Sequence, residues 1–502
     1  MSIAGLDHIG HKPGTAEKTL GQVPAWLWFG AGLFLLFVIG GNRALQDADT
    51  YWQIVVGQSI IDHRALPQTD VYSFTRFGAP WMSSSWLAQV LYAASYAMAG
   101  WAGPVILAAF GTAAAFALLV YILCRYFSAA HAIIVAMAAV LMSAHHFVAR
   151  PHLLALPVMV AWVYGLVKAS DARRAPSLWL LPLIILWANL HGGFVLGLAL
   201  IAPFALDALW NAEASQRVSL ALRWMAFGIY ALFASWITPY GWNSLLAARQ
   251  ILDLGDAMPL IAEWQPADFS SLGVFEICLL AAAAAALWRG IVLSPPRILL
   301  VLGLLHMALS HNRNIEVFAL LTPLVVAGPL AAQLGRAEAV ARTRSWIGVV
   351  AVVLGVVVAT TAFAVSHTFS PMVSQTPAAA VDVLKARKAS RVLHNAGFGG
   401  YLITQGIPTF FDGRGELYGA PFLVKTFDAL ALRDVDGFLG LLDSYKIDAT
   451  LLRKKTPGAQ LLDQIDGWRK VFADDDVVVH VRDANARHTA QPNVKPPEGA
   501  AR

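Results

Sequence analysis

Two acids, Asp47 and Asp49, stand two residues apart in the run Gln-Asp-Ala-Asp-Thr-Tyr-Trp, directly after the first strongly apolar stretch of the chain. A carboxylate pair of this spacing can serve as general base or hold a divalent cation such as Mg or Mn. In an extended loop both side chains would share a face. Like charges so placed either raise one pKa or recruit a cation between them. Further along come Arg150-Pro151-His152, preceded by His145 and His146, then His191 beside Gly192 and Gly193, Glu263-Trp264, and His311-Asn312-Arg313. Arginine and histidine at a bilayer surface suit a phosphate, Arg by paired hydrogen bonds to its oxygens. One base to deprotonate an acceptor, with cations to receive a departing phosphate, is what a single-displacement transfer requires. Each group also has a structural reading: a helix cap for the acids, an interfacial anchor for a junctional Arg, a satisfied hydrogen-bond partner for a His beside glycines.

The elements that must position these groups are set by composition. Of 502 residues 58% are hydrophobic and 13% charged, about half the ~25% charged share of a soluble domain. With 17 Trp, 12 Tyr and 25 Phe, the chain suits a membrane with aromatic belts. A net charge of +5 brings no dense basic stripe, which argues against nucleic acid as a partner. Cys124 and Cys278 lie far apart in or beside apolar segments, which excludes a disulfide framework. About 20 residues cross the hydrocarbon layer. On that ruler the spans fall near 25–41, 103–124, 129–147, 152–168, 177–190, 194–211, 224–240, 273–288, 297–311, 314–334 and 346–366. The chain therefore reads as a mainly α, polytopic membrane protein of about eleven helices. His191-Gly192-Gly193 marks a turn between two short spans, and Trp86 to Gly100 reads as an interfacial helix within a first outer loop, 42–102.

With the N-terminus in the cytoplasm, inner ends carry Lys12, Lys18, Arg125, Lys168, Arg173, Arg174, Arg217, Arg223, Arg289, Arg297, Arg336, Arg342 and Arg344. Outer segments up to the last span carry Arg43, Arg64, Arg76, Arg150, Arg249 and Arg313, so the balance is thirteen to six, as the positive-inside rule expects. Residues 1–24 then form a cytoplasmic leader, and every chemistry-bearing group falls on the outer face. From about Ser370 charge returns, and a small α/β domain is expected over 370–483. Its helices are placed at Ala378–Arg387 and Val435–Tyr445, and its strands at Arg391–His394, Thr409–Asp412, Ala449–Leu452 and Val477–Arg482. A disordered tail follows from Ala484. Asp412, Arg414 and Glu416 form a second charged cluster in a Gly-rich turn, where Arg414 can pin the turn on either acid or the group can help bind an acceptor.

The run from Asp47 through Trp52, the long first outer loop and the many spans resemble the GT-C superfamily of polyprenyl-phosphate-dependent glycosyltransferases. Over about 25–483 the chain is similar to a family of bacterial membrane proteins. The matching stretches are Asp47 to Ile54, Pro67 to Trp86, Arg150-Pro151-His152, Trp187-Ala188-Asn189-Leu190-His191-Gly192-Gly193-Phe194, His311-Asn312-Arg313, Gly399 to Leu402 and Phe411 to Gly419. The resemblance implies a multi-pass protein of the bacterial cytoplasmic membrane with its C-terminal domain outside. It implies an inverting transfer of sugar from a polyprenyl-phosphate donor to a saccharide, lipid or protein acceptor, with Asp47 and Asp49 as catalytic acids. In the oligosaccharyltransferases it resembles, the second acid of the motif carries the duty, which favours Asp49. Arg150, His152, His191, His311 and Arg313 are expected to bind the donor phosphate, and Glu263 and Trp264 to face the acceptor or serve structure. Two other readings remain: a lipid-linked saccharide flippase, which calls for midplane polar groups and internal repeats that are not evident, and a non-catalytic envelope-assembly protein that keeps the fold.

Overall fold

A computed structural model describes residues 22–335 and 345–483. Most of the expected leader with Lys12 and Lys18, the cations Arg336, Arg342 and Arg344, and the tail from Ala484 lie outside the described residues. Every one of the eleven apolar segments contains helix. Among the described residues six helices are long and apolar enough to cross a membrane: Ala102–Leu123, Ala129–His146, Pro151–Asp171, Ala214–Ser235, Asn312–Leu334 and Trp346–Ser366. Ala25–Ile39, Leu178–Leu190, Phe194–Trp210 and Pro295–Ser310 are shorter apolar helices, and Val274–Arg289 has 16 residues. Six of the eleven expected spans thus meet the length and composition of a membrane crossing, and the other five are shorter helices. The chain is a mainly helical, multi-pass membrane protein with a small sheet near its C-terminal end.

Local signals explain the helix boundaries. Ser128 and Ser345 accept from backbone N–H groups of the first turns they precede, and Pro151 and Pro295 open helices at a position where a missing N–H costs nothing. The helix expected over 224–240 is drawn from Arg217 to Ser235, because good helix formers continue upstream into the polar Arg217 to Arg223 segment. Tight helix pairs follow from small residues. A Cβ on Gly111 would lie 2.5 Å from the Leu153 carbonyl, and one on Gly57 would lie 2.0 Å from that of Gln89. The core of the bundle is lined by Phe116, Trp162, Phe204 and Phe227.

The Trp-Ala-Asn-Leu-His-Gly-Gly run is a junction. Helix Leu181–Leu190 stops before His191 and the next begins at Phe194, as the paired glycines predict. Asn189 donates to the carbonyls of Ile185 and Ile237 and accepts from the Trp86 indole at 2.9 Å. Trp86 begins helix Trp86–Ala99, so Asn189 ties the 42–102 segment to the bundle.

At one end of the bundle a buried ion cluster corrects the charge reading. Arg297 pairs with Asp171 and, at 2.8 Å, with Asp207, and it donates to the Val325 carbonyl at 3.0 Å. It is a buried bolt between four helices and does not act as a free inner-surface cation.

The sheet has four strands in the order β1-β2-β4-β3, with β1 Val392–His394, β2 Ala449–Arg453, β3 Trp468–Ala473 and β4 Val477–Arg482. The β1–β2 pair is parallel and the other two pairs are antiparallel. The expected strand Thr409–Asp412 does not join it. Thr409 makes only isolated bridges, to Val392 and to Ser73 of the 42–102 segment, and the chain then turns through Gly413. Helix Val435–Ser444 matches expectation, whereas β3 and helix Ala420–Leu430 were not foreseen.

Candidate active site

Asp49 is the first residue of helix Asp49–His63, and Ala48 before it is already in right-handed helical conformation. The segment is therefore not the extended loop its Asp-x-Asp spacing suggested. The reason is local: the Asp47 carboxylate accepts from the Asp49 backbone N–H at 2.8 Å, satisfying a first-turn donor that would otherwise be orphaned. Both acids nonetheless reach one partner. Arg150 lies 3.3 Å from Asp47 and 2.6 Å from Asp49, and it also pairs with Glu263.

Arg150 is placed by its sequence context. It precedes Pro151, which holds it extended, and its carbonyl accepts from Tyr92 Oη at 3.0 Å. Ala149 beside it donates to the Ala44 carbonyl at 2.7 Å and accepts from Thr50 Oγ1 at 3.1 Å. The acid segment and the Arg-Pro-His junction are thus stitched together by backbone.

Glu263 sits in a single helical turn, Ala262–Trp264. Its other carboxylate oxygen is 3.8 Å from Arg313, whose guanidinium lies over the Trp264 ring at 4.4 Å from the centroid. His311 donates from Nδ1 to the Trp264 carbonyl at 2.8 Å, and Asn312 N–H donates to that of Gln265 at 2.9 Å. His311 therefore docks the Glu263 turn. Nearby, His191 accepts the Gly193 N–H on Nδ1 at 3.1 Å, which leaves Nε2 to carry the ring proton. The His152 ring is 6.3 Å from that of His191. His152 donates from Nε2 to the His146 carbonyl at 3.0 Å, and the same nitrogen is 3.8 Å from the buried Glu316.

The electrostatics divide the acids. Arg150 holds Glu263 down at about 2 against the opposing effect of burial, with Arg313 helping. Burial pushes Asp49 up to about 7, Asp47 and Glu263 adding to the rise while Arg150 and the Trp52 indole N–H, at 3.0 Å, oppose it. Burial, then Arg313 and Arg150, push His191 down to about 3, so at neutral pH it offers a neutral N–H and not a positive charge. Asp49 is the group poised near neutrality, where a general base works best.

These placements revise several expectations. Arg150 is occupied by Asp47, Asp49 and Glu263, which leaves Arg313 as the less engaged guanidinium for a phosphate. Glu263 and Trp264 belong to the main cluster. Asp412, Arg414 and Glu416 do not: Arg414 is buried, bound to Asp412 through Nε at 2.8 Å and Nη2 at 2.6 Å, and to Asp70 at 2.6 Å, while Glu416 accepts from the Trp81 indole at 3.1 Å. Asp70 went unrecognised because nothing local marks a partner 344 residues away. Trp52 and Glu316 were also missed, although each sits within four residues of a flagged acid or arginine.

Asp47, Asp49 and Glu263 are the oxygens that would receive a divalent cation. In this structure they share a guanidinium, and among the described residues no three His, Cys, Asp or Glu side chains are grouped to hold an ion. This donor set does not fit a metal as it stands.

An apolar groove of about 400 Å³ runs between Phe194–Trp210 and Pro295–Ser310, lined by Leu196, Leu200, Leu206, Leu299, Gly303 and Met307 among others. One lining residue, Met307, lies a turn before His311, and its carbonyl accepts from His311 N–H at 3.1 Å and from Asn314 Nδ2 at 3.2 Å.

No protein-family description matches the chain, and no curated protein matches it. Among solved structures it is similar to the archaeal oligosaccharyltransferase AglB from Archaeoglobus fulgidus, solved in complex with an inhibitory peptide and a dolichol-phosphate. The TM-score is 0.52 at 11% sequence identity, covering 93% of this chain and 75% of that one. At this identity the likeness is one of fold.

Proposed function

We propose that the protein is a membrane glycosyltransferase that moves a sugar from a polyprenyl-phosphate donor to an acceptor on the outer face of a bacterial cytoplasmic membrane. In this reading its eleven helical segments cross the bilayer, its N-terminus is inside, and the 370–483 domain is outside. The observation that carries the proposal is the convergence of Asp47, Asp49 and Glu263 on Arg150, with Arg313 on the other oxygen of Glu263. The fold shared with an oligosaccharyltransferase supports the same class. A polyprenyl tail is the occupant that suits the groove, because its lining side chains are apolar.

The chemistry follows from the geometry. The acceptor oxygen attacks the anomeric carbon while the bond from that carbon to the phosphate oxygen breaks, in a single inverting displacement. Asp49 takes the acceptor proton. Arg313, stacked on Trp264, faces the charge that grows on the departing phosphate, and the neutral His191 N–H gives it a hydrogen bond. Arg150 orients the acids.

The test uses the purified protein in proteoliposomes with a panel of synthetic polyprenyl-phosphate hexoses and pentoses and a cell-envelope extract as acceptor. Transfer by the parent should fall ~10²–10⁴-fold in Asp49→Asn with insertion unchanged. If Asp49→Asn and Asp47→Asn each transfer like the parent, the assignment is wrong. Chelation with EDTA should leave the rate intact; loss on chelation and recovery with Mg or Mn would place a cation among these carboxylates instead.

A further inference from the structure

One residue packed against Asp49 comes from far along the chain. It is Gly413, which follows it by 364 positions in the chain. A Cβ built on Gly413 would sit 1.8 Å from Asp49 Oδ1 and 2.6 Å from its Cγ. Any real side chain there would have to displace the carboxylate. The backbone of Gly413 is not the reason for glycine, because its φ lies outside the left-handed region. The space is what Asp49 occupies.

Two neighbouring glycines repeat the pattern. A Cβ on Gly400 would lie 2.0 Å from the carbonyl oxygen of Ala48, and one on Gly399 would lie 2.7 Å from that of Phe411. Helix Gly399–Thr404 thus packs its bare first turn on the backbone beside Asp49, and the 411–413 turn packs on that helix in turn. The turn is fixed from below by Arg414, which binds Asp412 on its own side and Asp70 of the first outer segment. Asp412 is further held by Tyr418 Oη at 2.8 Å.

We infer that Gly413 is a positioning residue for Asp49: the C-terminal turn completes the wall against which the carboxylate is held between the Arg150 guanidinium and the Trp52 indole. The inference rests on the proposed role of Asp49, but the contact can be tested without it. The protein is labelled with 5-fluorotryptophan and the Trp52 resonance assigned through Trp52→Phe. Because the Trp52 indole donates to Asp49 Oδ1, Asp49→Asn moves that resonance, and Gly413→Ala should move it as well. Gly415→Ala is the control, since its Cβ would meet nothing nearer than the end of the Leu254 side chain at 3.3 Å, and it should leave the signal in place.

A thermal-stability cycle keeps the test decisive even if Gly413→Ala folds poorly. Gly413→Ala should lower the melting temperature of the parent, and at least half of that loss should vanish in an Asp49→Ala background, where the obstructing oxygen is gone. An unmoved Trp52 resonance, or an equal loss in both backgrounds, overturns the inference. Transfer assays then separate it from the functional reading. A confirmed contact with at least tenfold slower transfer and unchanged retention of a polyprenyl-phosphate hexose supports both. A confirmed contact with parental transfer leaves Gly413 positioning Asp49 and removes Asp49 from the chemistry.

Discussion

Two arginines organise acids in this molecule, and they do so in opposite ways. Arg414 is sealed, its side chain 0% exposed like those of its partners Asp70 and Asp412, and it lies over Trp81 at 4.7 Å and Tyr72 at 5.2 Å. Arg150 is 20% exposed and is shared by three carboxylates, one of them, Glu263, 32% exposed. The first cluster has its hydrogen bonds filled by protein. The second leaves its acids partly open to water and holds one of its carboxyls near neutrality. Burial of charge is common to both, so burial alone does not identify a site. Incomplete pairing at an accessible place does.

The sharpest way to break the comparison is to remove each arginine's charge. Arg414→Met leaves Asp70 and Asp412 buried without a counter-ion and should cost ~3–5 kcal/mol of stability, read as a large drop in melting temperature in detergent. Arg150→Met should cost less stability, because its partners can reach water, yet reduce transfer severely. Equal destabilisation by the two would erase the distinction. Next in size is pH. If Asp49 is the base, it must be ionised. With its carboxyl at about 7, transfer should fall nearly tenfold per unit as pH drops below 7 and level off above it. A rate flat between pH 5.5 and 8 would exclude Asp49 as the base. The smallest effect expected is at Arg313. Arg313→Ala should weaken retention of a polyprenyl-phosphate hexose by ~1.5–3 kcal/mol with little change in melting temperature, and unaltered retention would make it an interfacial anchor.

Much of the scaffold was legible from residue patterns. Apolar length marked all eleven helical segments, and Gly192-Gly193 marked the turn between two of them. The sequence also flagged the acids, Arg150, Glu263 and Arg313 that the fold brings together. What pattern could not show was long-range or local in a competing sense. The Asp47 cap turned an apparent loop into a helix start. Arg297 looked like a surface cation because its acids, Asp171 and Asp207, are distant in sequence. β3 escaped because Arg469 and Lys470 stand side by side and break the alternation of an edge strand. Gly413 was visible only as one glycine in a Gly-rich turn, since its meaning lies in an atom of Asp49.

The last apolar helix, Trp346–Ser366, has a further consequence. Only 6% of its apolar window is buried within the chain, and it packs chiefly on Ala25–Ile39. The sheet that follows it is therefore joined to the bundle through a helix with few protein neighbours, and Phe369 against Gly41 and Ser370 N–H on Asn42 Oδ1 at 3.1 Å are contacts that follow that helix. Docking of the sheet on the 42–102 segment is then an intramolecular association, driven at the high effective concentration that a short connection provides. Weakening the Arg414 latch would lower the docked population without releasing the sheet, and its effect would be the same at every protein concentration.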